Sequence, residues 1–323
     1  MLVLVAPGQG AQAPGFLTPW LELSGVADRL RQWSATIDLD LVHYGTEADA
    51  EQIRDTAVAQ PLLVAAGLVC AQALLGGAEG VPQPAEGALG AVAGHSVGEL
   101  TAAAVGGVLT AETALALVRT RGRAMAEAAA ATPTGMSAVL GGDPEVVTAH
   151  LEKLGLTPAN INGAGQIVAA GTAEQLATLA EDRPEGARVR PLAVAGAFHT
   201  HHMAPAVAAM EAAVDGIEPG DPRIRYVSNR DGQVLTDGQE VVRRLVQQVS
   251  SPVRWDLCME TFQKLGVTAL IELCPGGTLT GLAKRALPGV RTLALKTPDH
   301  LDAARELIAE HTSTTAQQPD SAG

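Results

Sequence analysis

The chain has 323 residues, 47% of them hydrophobic and only 2% aromatic, so it can bury a sizeable core made mostly of Ala, Val and Leu. Its formal net charge of −13 excludes bulk nucleic-acid binding, which needs clustered positive charge. The three cysteines, Cys70, Cys258 and Cys274, are far apart and form no C-x-x-C pair, which argues against a disulfide framework or a zinc site and fits a reducing cytoplasm.

Residues 1–6 read as a first buried strand, too short and too poor in basic residues for a signal peptide, and no apolar run reads as long enough to span a bilayer. The strand runs into a Gly-rich loop, Pro7-Gly8-Gln9-Gly10-Ala11-Gln12, of the kind that places functional backbone in α/β proteins. Gln60-Pro61 is read as opening a long apolar helix to about Leu75, followed by an exposed Gly/Pro-rich connection, Gly76 to Gly87. A short apolar strand at Ala91-Val92-Ala93 precedes Gly94-His95-Ser96-Val97-Gly98-Glu99, and helices are expected at 100–108 and 111–131.

From residue 134 to 193 the elements shorten and follow the order β-α-β-β-α-β, the ferredoxin-like split pattern. The expected fold is therefore α/β. A large α/β-hydrolase-like domain with a parallel sheet spans 1–133 and 194–311, and a small ferredoxin-like subdomain, 134–193, is inserted in it. Two further apolar strands, 269–273 and 292–294, belong to the large domain. The Thr/Gln/Ser/Gly-rich tail, 312–323, is expected to be disordered.

A serine between glycines at a strand-to-helix turn fits a nucleophile elbow. Small residues at 94 and 98 leave room for the sharp turn, and the new helix aims its N-terminal N–H groups at an oxygen that gains charge. A base is then needed. His95, adjacent to Ser96, leaves the turn in another direction and is read as lining the pocket. The cluster Phe198-His199-Thr200-His201-His202 is the better source, with His199 first after an apolar strand and a turn. A metal site there is weak, because no Asp, Glu or Cys lies at ligand spacing. Arg119 and Arg123 share a helix face at i,i+4 and read as solvated, which turns Arg121 inward, where a carboxylate is its natural partner.

These residues, together with Gln60-Pro61, Arg121-Gly122, Asn160-Ile161-Asn162, Gly171, Ala197-Phe198-His199-Thr200, Ser251-Pro252-Val253-Arg254-Trp255 and Gly276, give the chain its resemblance to the malonyl-CoA:acyl carrier protein transacylases. It closely resembles those of actinomycete fatty-acid and polyketide synthesis, and the resemblance covers about residues 1–310. It implies Ser96 as acyl-carrying nucleophile, His199 as base and acid, and a main-chain carbonyl at Gln248 orienting the base. It further implies an oxyanion hole from the N–H groups of Gln9 and Val97, and Arg121 as binder of the malonyl carboxylate. His95, Met125 and Asn160 would line the acyl pocket, and Phe198 would crowd out an α-methyl branch.

The expected partners are malonyl-CoA and a holo acyl carrier protein, with no nucleic acid, no membrane, no metal and no cofactor, in a cytoplasmic monomer. Carrier proteins of this kind are acidic, so docking needs local positive charge, for which Arg188, Arg190, Lys284 and Arg285 are candidates. The rival readings are a serine hydrolase or thioesterase, which would use the same elbow with water as acceptor, a relative that binds acyl-CoA without turnover, and a transacylase for another extender unit such as methylmalonyl.

Overall fold

The structure, a computed structural model, describes residues 1–76 and 87–315. In chain order the strands are β1 (Leu2–Ala6), β2 (Ala91–Gly94), β3 (Thr134–Gly141), β4 (Thr157–Gly163), β5 (Gln166–Thr172), β6 (Ala187–Pro191), β7 (Arg225–Val227), β8 (Val234–Leu235), β9 (Val253–Arg254), β10 (Ala269–Glu272) and β11 (Arg291–Ala294). The helices are α1 (Val26–Ile37), α2 (Leu41–Thr46), α3 (Thr56–Leu75), α4 (Gly98–Val105), α5 (Ala111–Ala131), α6 (Pro144–Lys153), α7 (Ala173–Glu181), α8 (Ala204–Val214), α9 (Gly238–Gln247), α10 (Trp255–Lys264), α11 (Thr278–Ala286) and α12 (Leu301–Thr315).

One sheet has the order β11-β10-β1-β2-β7-β8 and is parallel except for β8. Strands covered on both faces must be apolar along their whole length, and β1, LVLVA, is buried at every position. Its register with β2 sets Ala6 beside Gly94, so the Gly-rich loop and the serine turn leave the sheet side by side.

The other sheet has the order β6-β3-β5-β4-β9. Its first four strands are antiparallel, in the order expected of a split β-α-β-β-α-β unit, over a small core of its own that includes Val139, Val147, Leu151, Ile167 and Leu179. A strand from outside 134–193 joins it: β9 pairs in parallel with β4, Asn160 opposite Val253. The Ser251–Trp255 segment thereby fastens the second sheet beside the first.

Three readings of the sequence need correction. The long apolar helix starts at Thr56, not at Gln60, because the Asp55 side chain caps it by accepting from Ala57 N–H; Pro61 lies inside α3. That helix is also long and apolar enough to cross a membrane, with a mean hydropathy of 1.9, contrary to the reading that no run is. However, 83% of its apolar window is buried inside the protein, as a core helix would be. Residues 312–315, expected in a disordered tail, continue α12 to Thr315, while 316–323 lie outside the described residues. The connection read at 76–87 falls largely on residues 77–86, also outside them.

Candidate active site

The turn after β2 is built by steric exclusion. A Cβ on Gly94 would lie 2.0 Å from the carbonyl carbon of Gly98, and one on Gly98 would lie 2.3 Å from the Ala6 oxygen. Only glycine fits either position. Between them Ser96 takes φ 52°, a conformation that strains a residue with a Cβ and pushes the hydroxyl out of the backbone. Val97 is the N-cap of α4, where backbone N–H groups have no intrahelical acceptor. The Gly-rich loop packs onto the turn at Gly8, where a Cβ would meet the His95 carbonyl oxygen at 2.9 Å, and so Gln9 is carried beside it.

Ser96 Oγ lies 2.7 Å from His199 Nε2. The other ring nitrogen, Nδ1, is 2.8 Å from the Gln248 carbonyl oxygen. A carbonyl only accepts, so Nδ1 carries the proton and donates it, leaving Nε2 free to accept from the serine hydroxyl. The His199 backbone, at φ 62°, is held by its N–H to Val249 O at 3.1 Å. Burial, and then the nearby Arg121 charge, push the His199 imidazole down to about 3, so it is neutral at pH 7.

Arg121 is 1% exposed on α5. Its Nη1 donates to Gln60 Oε1 at 2.6 Å, and its Nη2 donates to Gln248 Oε1 at 2.8 Å and to Ser96 Oγ at 3.3 Å. All three acceptors are neutral, so no carboxylate contacts the guanidinium directly, and Glu99 acts on its charge only from beyond the Gln248 amide. Burial lowers the guanidinium to about 10, still protonated at pH 7.

The remaining candidates fall into two groups. Met125, buried on α5, accepts at Sδ from Gln60 Nε2 at 3.5 Å and so helps orient an Arg121 partner. Phe198 is buried next to His199. His95 instead turns toward the second sheet, donating from Nε2 to Asn162 Oδ1 at 2.8 Å and tilting against the Trp255 ring at 5.7 Å. Asn160, on the same strand, is buried with no partner for Oδ1, and Gln9 Oε1 is likewise buried without one.

His201 and His202 stack on each other at 4.1 Å, and among the described residues no group of three or more His, Cys, Asp or Glu is placed to hold a metal. Arg188 and Arg190 are exposed on β6, and Lys284 and Arg285 are exposed in the last turn of α11.

Two features escaped the sequence reading. Arg119 does not lie on a solvated face: it is half-buried and donates to the carbonyls of Ile37, Asp38 and Ala57. Glu99 is 1% exposed, accepting from Asn229 N–H at 2.6 Å on Oε1 and from Gln248 Nε2 on Oε2. A lone carboxylate in the otherwise apolar α4 was the available signal.

The chain matches the family model described as acyl transferase domain over residues 3–314. It is 52% identical over 307 residues to the malonyl CoA-acyl carrier protein transacylase of Mycobacterium tuberculosis, covering 94% of this chain and 98% of that one. The crystal structure of MCAT from the same organism superposes with a TM-score of 0.88 at 51% identity, over 94% of this chain and 99% of that one. A malonyl-transacylase solved in complex with its type II PKS acyl-carrier protein superposes with a TM-score of 0.84 at 29% identity, over 95% and 99% of the two chains.

Proposed function

We infer the function from a plain premise: the chain belongs to the acyl transferase domain family. It is an enzyme that moves a malonyl group from malonyl-CoA to acyl carrier protein, supplying fatty-acid or polyketide synthesis. The observation that carries its mechanism is the Ser96 hydroxyl, 2.7 Å from a neutral His199 and 3.3 Å from the buried Arg121 guanidinium.

In the proposed reaction Ser96 Oγ attacks the thioester carbonyl as its proton passes to His199 Nε2. The negative oxygen of the tetrahedral intermediate is held by the N–H groups of Gln9 and Val97, each such donor being worth about 3 kcal/mol. The C–S bond breaks, and the CoA sulfur leaves with the proton from His199. The pantetheine thiol of the carrier protein then gives its proton to His199, attacks the Ser96 ester and takes the malonyl group, and the proton returns to Ser96. One thioester replaces another of similar energy, so this route needs no cofactor and no metal.

Arg121 selects the acyl group. Its site partners are neutral, so a malonyl carboxylate supplies the anion that a buried guanidinium lacks, whereas an acetyl group does not. The buried Phe198 favours malonyl over methylmalonyl, an extra methyl in a tight pocket changing discrimination by about 1–3 kcal/mol. The exposed cations of β6 and α11 are candidate contacts for the acidic carrier protein. A cytoplasmic monomer fits this role.

Intact-protein mass after brief exposure to malonyl-CoA tests the reading. A malonyl adduct on the native protein, absent from Ser96→Ala and discharged by holo carrier protein, is expected. An adduct lost to water at the same rate without acceptor would favour a hydrolase, and no adduct would leave only a binding protein.

A further inference from the structure

We infer that Glu99 is a positioning residue that, through Gln248, holds the base and the carboxylate-binding arginine in one working arrangement. The inference rests on the malonyl-transfer reading above.

Gln248 touches the base, the arginine and the backbone of the nucleophile. Its backbone carbonyl accepts from His199 Nδ1–H at 2.8 Å, its side-chain Oε1 accepts from Arg121 Nη2 at 2.8 Å, and its Nε2 donates to the Ser96 carbonyl at 3.0 Å and to Glu99 Oε2. An amide can be turned end for end with little change of shape, and only one orientation serves here. Turned the other way, the NH2 group would face the Arg121 guanidinium, donor against donor.

Glu99 holds the orientation from the other end. Both of its oxygens accept here, so the donor end of the Gln248 amide faces Oε2 while the acceptor end faces Arg121. The carboxylate is itself fixed, because Oε1 accepts from the Asn229 backbone N–H at 2.6 Å, while the Asn229 side chain donates to the Gly94 carbonyl at 3.0 Å at the start of the serine turn. Glu99 also faces the Arg121 charge across the amide, and the direct Arg121 partners, Gln60, Gln248 and Ser96, are all neutral. The arrangement has two branches. The backbone of Gln248 serves His199, which any acyl donor requires; its side chain serves Arg121, which only a carboxylated donor requires.

Glu99→Gln tests this, because an amide offers one acceptor where the carboxylate offers two and must fail either Asn229 or Gln248. Serine acylation is followed by rapid quench with malonyl-CoA and with acetyl-CoA. The expected result is a folded variant whose kcat/KM for malonyl-CoA falls about 30-fold, with a raised KM, while that for acetyl-CoA falls only about threefold. Wild-type values overturn the inference. So does an equal fall for both donors at unchanged KM with a matching loss of titratable serine, the signature of a structural role alone.

Should Glu99→Gln not fold, Glu99→Asp keeps two acceptor oxygens on a shorter stem and loosens the same contact with Gln248. It is expected to show the same split in milder form, with kcat/KM for malonyl-CoA lowered about fivefold through a raised KM and that for acetyl-CoA lowered less than about twofold. An equal fall for both donors at unchanged KM, or failure of both variants to fold, overturns the inference. A native protein that forms no malonyl ester instead sinks the transfer reading itself.

Discussion

Arg119 donates from Nη1 to the carbonyl oxygen of Ala57 at 2.9 Å, the acceptor four residues before Pro61. Proline has no N–H, so inside α3 it strands the carbonyl that an ordinary residue would satisfy. The guanidinium of α5 supplies the missing donor and also reaches Ile37 O and Asp38 O at the end of α1. Arg119→Met keeps the aliphatic stem and removes every donor. It should lower the unfolding free energy by about 2–3 kcal/mol in urea titration while the folded fraction still loads malonyl. An unchanged urea midpoint would show that water serves these carbonyls equally well.

The serine turn makes a sharper demand on sequence. Gly98→Ala drives a methyl group to 2.3 Å from the Ala6 oxygen, between two backbone segments that cannot both retreat. It should destabilise by more than about 3 kcal/mol or prevent folding. Gly281, in α11, has nothing within 4 Å of an added Cβ, and Gly281→Ala should stabilise by about 0.5–1 kcal/mol through helix propensity. Thermal melts of the two variants side by side check both signs, and a tolerated Gly98→Ala would mean the turn can open.

Arg121→Ala should lower malonyl loading about 100-fold or more, since it removes a buried charge-assisted pair to the carboxylate. Acetyl loading should fall far less or rise, because the vacated volume is neutral. The ratio of the two donors' kcat/KM is the measurement. An equal loss for both would leave Arg121 as a support for Ser96 and Gln248 alone.

What the sequence made legible was whatever depends on neighbours along the chain. The apolar runs of β1 and β2, the split order of β3 to β6, and the inward turn of Arg121 between Arg119 and Arg123 are local patterns. The three-residue β7 and two-residue β9 carry too little pattern to stand out, although β9 ties the second sheet in place. Pro61 resembles a first-turn proline, whereas the start of α3 is set by the Asp55 cap upstream of it. The contact of Glu99 with Gln248 joins residues 149 positions apart, and no spacing rule announces it. The partners of Arg119 are hidden for the same reason, since its three carbonyls belong to α3 and to the end of α1.

Two buried groups pull the pH dependence of stability in opposite directions. Burial raises Glu99 from 4.5 to about 7, outweighing its bonds from Asn229 and Gln248, so the folded chain holds this proton more tightly than the unfolded one. The stability it contributes is fully present below pH 4.5 and is lost as pH rises through about 7. His199 is lowered from 6.5 to about 3, so its contribution is present above pH 6.5 and is lost as pH falls toward 3. Between pH 4.5 and 6.5 the two slopes oppose each other, each up to about 1.4 kcal/mol per pH unit. Removing one should therefore expose the other. Relative to wild type, the unfolding free energy of Glu99→Gln should climb with pH across that window, and that of His199→Asn should decline. Urea midpoints at half-unit steps from pH 4.5 to 7 measure the differences, which matter more than absolute stability because each substitution also removes hydrogen bonds. Curves parallel to wild type for both variants would mean that neither group changes its proton affinity on folding, and burial would no longer be what keeps the Ser96 base neutral below pH 6.5.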